Sequence, residues 1–371
     1  MNKKRIFKVI IFLSLFLSII MFSGLIKATQ GLPIVFTKLG NYDTGGFAFD
    51  IAIRDDIVFV SDANAGLNII NVSNPSNPTL ISLYELDRAH KVYIEGNIAF
   101  VTNWIHGFEI INITDLYNPE QLSLSLTGNE LNSFDVNDGF AYLGADVSGG
   151  LLIEDISDPK NPILIHQYNA SGDITAVNVK NDIAYVGSSI SGVHYGFTIL
   201  NVTEKTNPTI MGQYNTTHWI SGIQILGDLA LAAIWQQGLL IINISNPTNP
   251  TLLSHYFDGG ATDRAYFVEG YAFLADYNNG LEILDIDDPS NPIELGQFFD
   301  GGGAHGLATL DNIVFIADTN DGLEIIEVNG LFSTSESVGF NSYAVIFVIT
   351  STTLLTLANK QITKSKKNRI Y

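Results

Sequence analysis

The sequence predicts an all-β fold, a seven-bladed β-propeller, and three observations carry that expectation. A Gly followed by Leu or Phe recurs at Gly66, Gly107, Gly150, Gly196, Gly238, Gly280 and Gly322, at intervals of 41, 43, 46, 42, 42 and 42 residues. A Pro stands 12 residues after each of the first six, at Pro78, Pro119, Pro162, Pro208, Pro250 and Pro292. Short β-branched and aromatic runs, such as residues 98–101 and 313–316, precede the glycines. A period of roughly 40–45 residues suits a four-stranded propeller blade. The absence of any long segment with 3.6-residue periodicity argues against a helical solenoid.

Each element of the repeat has a local reason. The runs at 98–101 and 313–316 read as second strands. Turn signals follow them, as in Asn278-Asn279-Gly280 and Thr319-Asn320-Asp321-Gly322. Residues 281–286 read as a third strand and residues 288–292 as a turn of the form Asp-Pro-Ser-Asn-Pro. Proline fixes φ and lacks a donor, so it punctuates a strand rather than continuing it. Residues 293–298 supply the fourth strand, and the next repeat opens with an apolar innermost strand such as 307–310. The seventh repeat lacks its proline, since Thr334 occupies that place. Residues 32–40, which begin Leu32-Pro33-Ile34, match the fourth-strand segment beginning Asn291-Pro292-Ile293. An N-terminal strand is therefore expected to complete the last blade and close the ring over residues 32–329. Closure removes exposed sheet edges.

The segment Gly280-Leu-Glu-Ile-Leu-Asp-Ile-Asp-Asp-Pro-Ser-Asn-Pro292 resembles the LVIVD-repeat family of surface propellers, as does Gly238-Leu-Leu-Ile-Ile-Asn-Ile-Ser-Asn-Pro-Thr-Asn-Pro250. The resemblance implies the propeller fold and, because that family has no single shared activity, little about function. Blade two departs from the motif at Leu116-Tyr117-Asn118-Pro119, and blade four has a longer loop from Ser188 to Gly196.

The ends carry a different signal. Residues 9–26 are apolar and follow Lys3, Lys4, Arg5 and Lys8, so residues 1–28 read as a signal peptide or signal-anchor. Residues 330–336 read as a linker, 337–359 as a transmembrane helix, and 360–371 as a basic cytoplasmic tail. All 38 acidic residues lie between Asp43 and Glu336, and the middle of the chain, residues 28–359, holds only eight basic residues against them, a formal charge of −30. Such a surface repels nucleic acid. Zero cysteines exclude disulfides, thiolate catalysis and cysteine-based zinc sites. The expected location is the cell membrane, with the propeller outside.

Three constellations are candidate sites. Alignment of the repeats places His90, Asn132, Thr175, Ser221, Arg264 and His305 near the start of the innermost strands, as a polar ring at the mouth of the central channel; Arg264 is placed only to within one or two residues. Trp104 and Trp235 share one position in the loops between second and third strands, and Trp219 precedes the innermost strand of blade five. All three tryptophans thus fall on the same, upper face, where large aromatics suit sugar stacking or a protein contact, although packing under a loop would also use them. Asp62, Asp276 and Asp318 each open an Asp-x-Asn turn ending in Gly; alternate oxygen ligands suggest calcium, but no distal Glu completes such a loop, and a tight hairpin in which Asp bonds its own backbone is the favoured reading. Sequons occur at Asn71, Asn112, Asn169, Asn201, Asn215 and Asn243, of which Asn71, Asn112, Asn201 and Asn243 share a repeat position filled elsewhere by Asp155 and Asp285.

No catalytic signature stands out, and no cofactor is implied beyond calcium. The expectation is a membrane-tethered binding or adhesion propeller that takes a glycan, a surface protein or a small molecule. The alternatives are a structural surface-layer element and an extracellular hydrolase or lyase, whose acid–base groups would be His90 or His305 with Asp87 or Asp263. An enzyme needs one such His and carboxylate within hydrogen-bond reach.

Overall fold

The computed structural model of the chain describes residues 33–331, except 105–106, 129, 147–148, 171, 191–193, 258 and 300. The two apolar end segments lie outside these residues. Among the described residues no helix is long and apolar enough to cross a membrane.

Residues 34–329 form seven four-stranded antiparallel sheets. Six are built from strands consecutive in sequence. The seventh joins Ala304–Leu310, Ile313–Asp318 and Gly322–Asn329 to the N-terminal strand Val35–Tyr42, as the residue pattern predicts. Val35 pairs with Asn329, so the propeller begins and ends side by side on the lower edge of blade seven. Lys38 on the closing strand reaches Glu324 at 2.6 Å and Asp321 at 3.0 Å. Across the closure, Ala48, Ile51, Val58 and Val60 of blade one pack on Phe315, Ala317, Leu323 and Ile325 of blade seven. The core therefore lies between blades, and each blade buries its apolar faces only against its neighbours.

The repeat glycine has a steric cause. Gly280 has φ +79°, and a Cβ there would lie 2.3 Å from the Phe298 carbonyl oxygen; at Gly66 the values are φ +95° and 2.4 Å from Tyr84. Only glycine lets the third strand start that close to the end of the fourth. The sequon position is likewise structural. Asn71, Asn112, Asn201 and Asn243 each accept, through Oδ1, the backbone N–H two residues on, and Asp155 and Asp285 do the same. Asn169 and Asn215 are exposed outside that pattern.

The innermost strands run Ala48–Arg54, Ala89–Glu95, Leu131–Asn137, Asp173–Lys180, Gly222–Leu226, Thr262–Val268 and Ala304–Leu310. Six of them carry a register shift at one position near their start: Phe49, His90, Asn132, Thr175, Asp263 and His305. Ser221 holds the corresponding place just before the blade-five strand, its N–H donating to the Ala233 carbonyl at 2.9 Å. A bulge leaves one residue outside the ladder and re-aims its side chain.

Candidate functional site at the channel mouth

The six bulge-position side chains and Ser221 line one cavity of about 280 Å³, together with Lys91, Trp104, Trp219, Ile220, Trp235 and Arg264. The structure thus brings together at one mouth His90, Trp104, Trp219, Trp235, Arg264 and His305, six residues that the sequence singles out separately. It also corrects the ring. In blade six the ring residue is Asp263, and Arg264 lies one position deeper. In blade one the ring residue is Phe49, which the sequence reading omits.

The ring has two unlike halves. In blades three to five the side chains stitch neighbouring blades: Asn132 Nδ2 donates to the Ile174 carbonyl at 3.4 Å, Thr175 Oγ1 to Ile220 at 2.6 Å, and Ser221 Oγ to Thr262 at 3.0 Å. Each bonds the residue just before the next blade's ring position. These three are spent on closing the ring.

The other half is aromatic and ionisable. His305 Nδ1 meets Asp263 Oδ2 at 2.8 Å. The ring of Phe49 lies 5.0 Å from His305 and 5.1 Å from His90, and His90 stacks on Trp104 at 5.5 Å. Trp235 stacks on His305 at 6.4 Å and meets Trp219 edge-on at 6.4 Å. An arc from Trp104 to Trp219 therefore rims the mouth. Tyr277, 5.3 Å from His305, extends it. Tyr277 was legible, because it follows Asp276 as Trp104 follows Asn103. Both are held alike: the Trp104 N–H donates to the Arg88 carbonyl at 3.0 Å and the Tyr277 N–H to Ala261 at 2.9 Å.

Lys91 and Arg264 form the floor. Both also line a second chamber of about 260 Å³ further down the channel, with Asp50, Asp135, Tyr93, Gln224 and Tyr266. Arg264 Nε stands 3.8 Å from Asp50 Oδ1. Burial works against the charge on Arg264, but Asp50, Tyr266 and Asp263 together outweigh it and leave the guanidinium above its ordinary range. Burial, with help from Arg264, pushes Lys91 down to about 7. Burial, then Lys91 and Arg264, push His90 down to about 3, so its ring is neutral. Burial opposes the Asp263 charge as well, yet His305, Arg264 and Lys91 together hold its carboxyl below the usual range.

The enzyme criterion is met by one pair only. His305 and Asp263 converge, whereas His90 Nδ1 is buried without a partner and Asp87 is exposed. The aspartates of the calcium pattern sit apart from the mouth cavity, in the hairpin turns. Asp62 Oδ1 accepts the N–H groups of Asn64 and Ala65, Asp276 those of Asn278 and Asn279, and Asp318 those of Asn320 and Asp321. Among the described residues no cluster of three or more His, Asp or Glu could hold a metal.

Comparison with known proteins agrees with this architecture. The LVIVD repeat matches residues 45–85, 132–170, 171–216, 220–258, 259–300 and 301–335, more than half the chain. The chain belongs to the LVIVD-repeat family. The unmatched interval holds blade two of this LVIVD protein, the blade whose turn departs from the motif at Leu116-Tyr117. No curated protein matches it. Among solved structures, the computationally designed Ika8 protein is similar at TM-score 0.57 and 10% identity, covering 78% of this chain and 98% of Ika8. A chain of the S. cerevisiae Dbp5 complex with Nup159, Gle1, IP6 and ADP is similar at TM-score 0.56 and 12% identity, covering 80% of this chain and 95% of that one. At such identity both likenesses concern the fold alone.

Proposed function

We propose that this LVIVD protein is an exported, membrane-tethered propeller that captures a ligand at the upper mouth of its channel. The observation that carries the proposal is the convergence of Trp104, Trp219 and Trp235 with His90, Arg264 and His305 on one cavity. Rigid aromatic faces beside a few placed polar groups are what small-molecule and glycan sites share. The topology supports the display. Both ends of the propeller leave from the edge of blade seven opposite to the mouth, which leaves the mouth clear of the chain ends. The experiment is a thermal-shift screen of the full chain in detergent against glycans, small acids and calcium. A ligand that raises the melting temperature in the parent, but not in Trp104→Ala or Trp235→Ala, supports the proposal. A shift that survives both variants places the site elsewhere.

One observation favours a second reading, a hydrolase or lyase at the same mouth. The His305–Asp263 contact fixes one ring nitrogen and leaves the other as the general base. Turnover of chromogenic glycosides or esters that is lost in His305→Gln would establish it.

A further inference from the structure

We infer that the mouth takes a ring-bearing carboxylate, an acidic sugar or an aromatic acid, with its carboxylate on the Lys91–Arg264 floor and its ring against the tryptophan arc. The inference rests on the proposed mouth as the binding site and names the chemistry of its ligand.

The argument is one of unmatched donors. Two donors in the mouth, Trp104 Nε1 and Arg264 Nε, are buried without a hydrogen-bond partner, and His90 Nδ1, a donor or an acceptor according to its tautomer, has none either. Lys91 is only 6% exposed, and among the described residues its ammonium has no carboxylate within 4 Å. Of the carboxylates nearby, Asp263 takes His305, and Asp50 accepts the Val92 N–H through Oδ2 at 3.2 Å, while its buried Oδ1, itself without a hydrogen bond, faces Arg264 Nε at 3.8 Å from below the mouth. The side chains of the opposite half are turned to the backbone of the next blade, where Asn132 Nδ2, Thr175 Oγ1 and Ser221 Oγ donate to carbonyls. Buried donors without acceptors cost stability, so what is missing from this cavity is oxygen acceptors, best of all an anion. The same cavity is walled by Trp104, Trp219 and Trp235, so the anion must belong to a molecule with a flat face. A free phosphate would satisfy the floor and leave the arc bare; a neutral sugar would do the reverse. Position reinforces the point. In a segment that carries −30, two of the eight basic residues stand together in the channel. Burial and mutual repulsion depress Lys91, which an anion between the two cations would relieve.

The test is a calorimetric titration of the full chain in detergent with glucuronate, benzoate and their neutral counterparts, glucose and benzyl alcohol. The expected result is binding of one or both acids at least tenfold tighter than of the matching neutral compound. Glucuronate alone identifies an acidic sugar, and benzoate alone an aromatic acid. Lys91→Met is expected to weaken the acid at least tenfold. Trp104→Phe, which keeps an aromatic ring and removes the indole N–H, is expected to weaken it several-fold. Thermal unfolding of each variant checks that it is folded. Equal affinity for acid and neutral partner overturns the inference while leaving the mouth as a binding site. Unchanged acid affinity in Lys91→Met overturns it too, since the carboxylate then lies elsewhere. Failure of all four compounds overturns the inference alone, whereas a ligand from the wider screen that ignores Trp104→Ala and Trp235→Ala overturns the mouth itself.

Discussion

Lys91→Met should make this protein more stable while it impairs binding, and the size and pH profile of the gain follow from the channel. Lys91 is buried beside Arg264, and its ammonium falls from 10.5 to about 7 in the folded chain. At about 1.4 kcal/mol per unit, holding that proton in the folded state costs up to about 5 kcal/mol at or below pH 7. A buried thioether carries no such cost, and replacement of buried charges by apolar groups typically gains about 1–4 kcal/mol. We therefore expect Lys91→Met to exceed the parent by about 1–4 kcal/mol at pH 7. The sign of the pH dependence is fixed by the lowered folded value. Between about pH 7 and 10.5 the unfolded chain holds the Lys91 proton and the folded chain does not, so parental stability rises with pH. The advantage of the variant should shrink by about 1.4 kcal/mol per pH unit from pH 7.5 to 9.5. That window avoids Asp135, which burial raises to about 6, and Tyr93 and Tyr266, whose phenols burial pushes up. The assay is urea unfolding followed by tryptophan fluorescence at several pH values. A variant less stable than the parent at pH 7, or a gap that does not narrow with pH, would refute the reasoning that Lys91 is a buried cation awaiting a partner.

Other outcomes follow from the scaffold. Gly280→Ala should lower the urea midpoint without changing the slope, at a cost of about 1–3 kcal/mol, because φ is +79° and the added methyl meets the Phe298 carbonyl. Lys38→Met should cost about 1–3 kcal/mol in the same assay, since the buried Glu324 loses a charged partner at 2.6 Å. Asp276→Ala should cost about 1–3 kcal/mol through the N–H groups of Asn278 and Asn279, equally with calcium or with chelator. A calcium-dependent rise in melting temperature that the variant abolishes would instead assign an ion to that turn.

The period, the closing N-terminal strand and the face on which the tryptophans gather were all legible in the sequence, because each follows from steric demands repeated at fixed spacing. Gly280 and Pro292 mark backbone geometry, and backbone geometry recurs in every blade. The ring was legible only in part. A bulge adds one residue without altering the apolar alternation around it, so nothing in the residue pattern distinguishes Asp263 from Arg264 as the ring position. Phe49 escaped because an aromatic in that column reads as core. Lys91 escaped because a lysine early in a strand reads as solvated, and only the packed ring reveals that it is buried. The sequon position was legible as a turn for the same reason as the glycines: Asn71 and Asp155 each accept the backbone N–H two residues on, as do the residues at that position throughout the first six blades.

The two halves of the ring bear on the alternative of a purely structural surface-layer element. Blades three to five show how this scaffold satisfies a polar ring position when stability is the sole demand: Asn132, Thr175 and Ser221 each bond the next blade's backbone. Blades six to two had the same backbone available and hold Asp263, His305, Phe49 and His90 instead, above two buried cations. That half leaves donors without acceptors, which a chain selected for rigidity alone would replace by the same small hydroxyl and amide side chains. Buried polar atoms without partners occur elsewhere in the propeller too, at Asn68 for example, but at the mouth they gather beside aromatic faces in one cavity, which is the pattern expected of a functional site set on a scaffold. The stability gained by Lys91→Met and the affinity lost with it would be two measurements of one compromise.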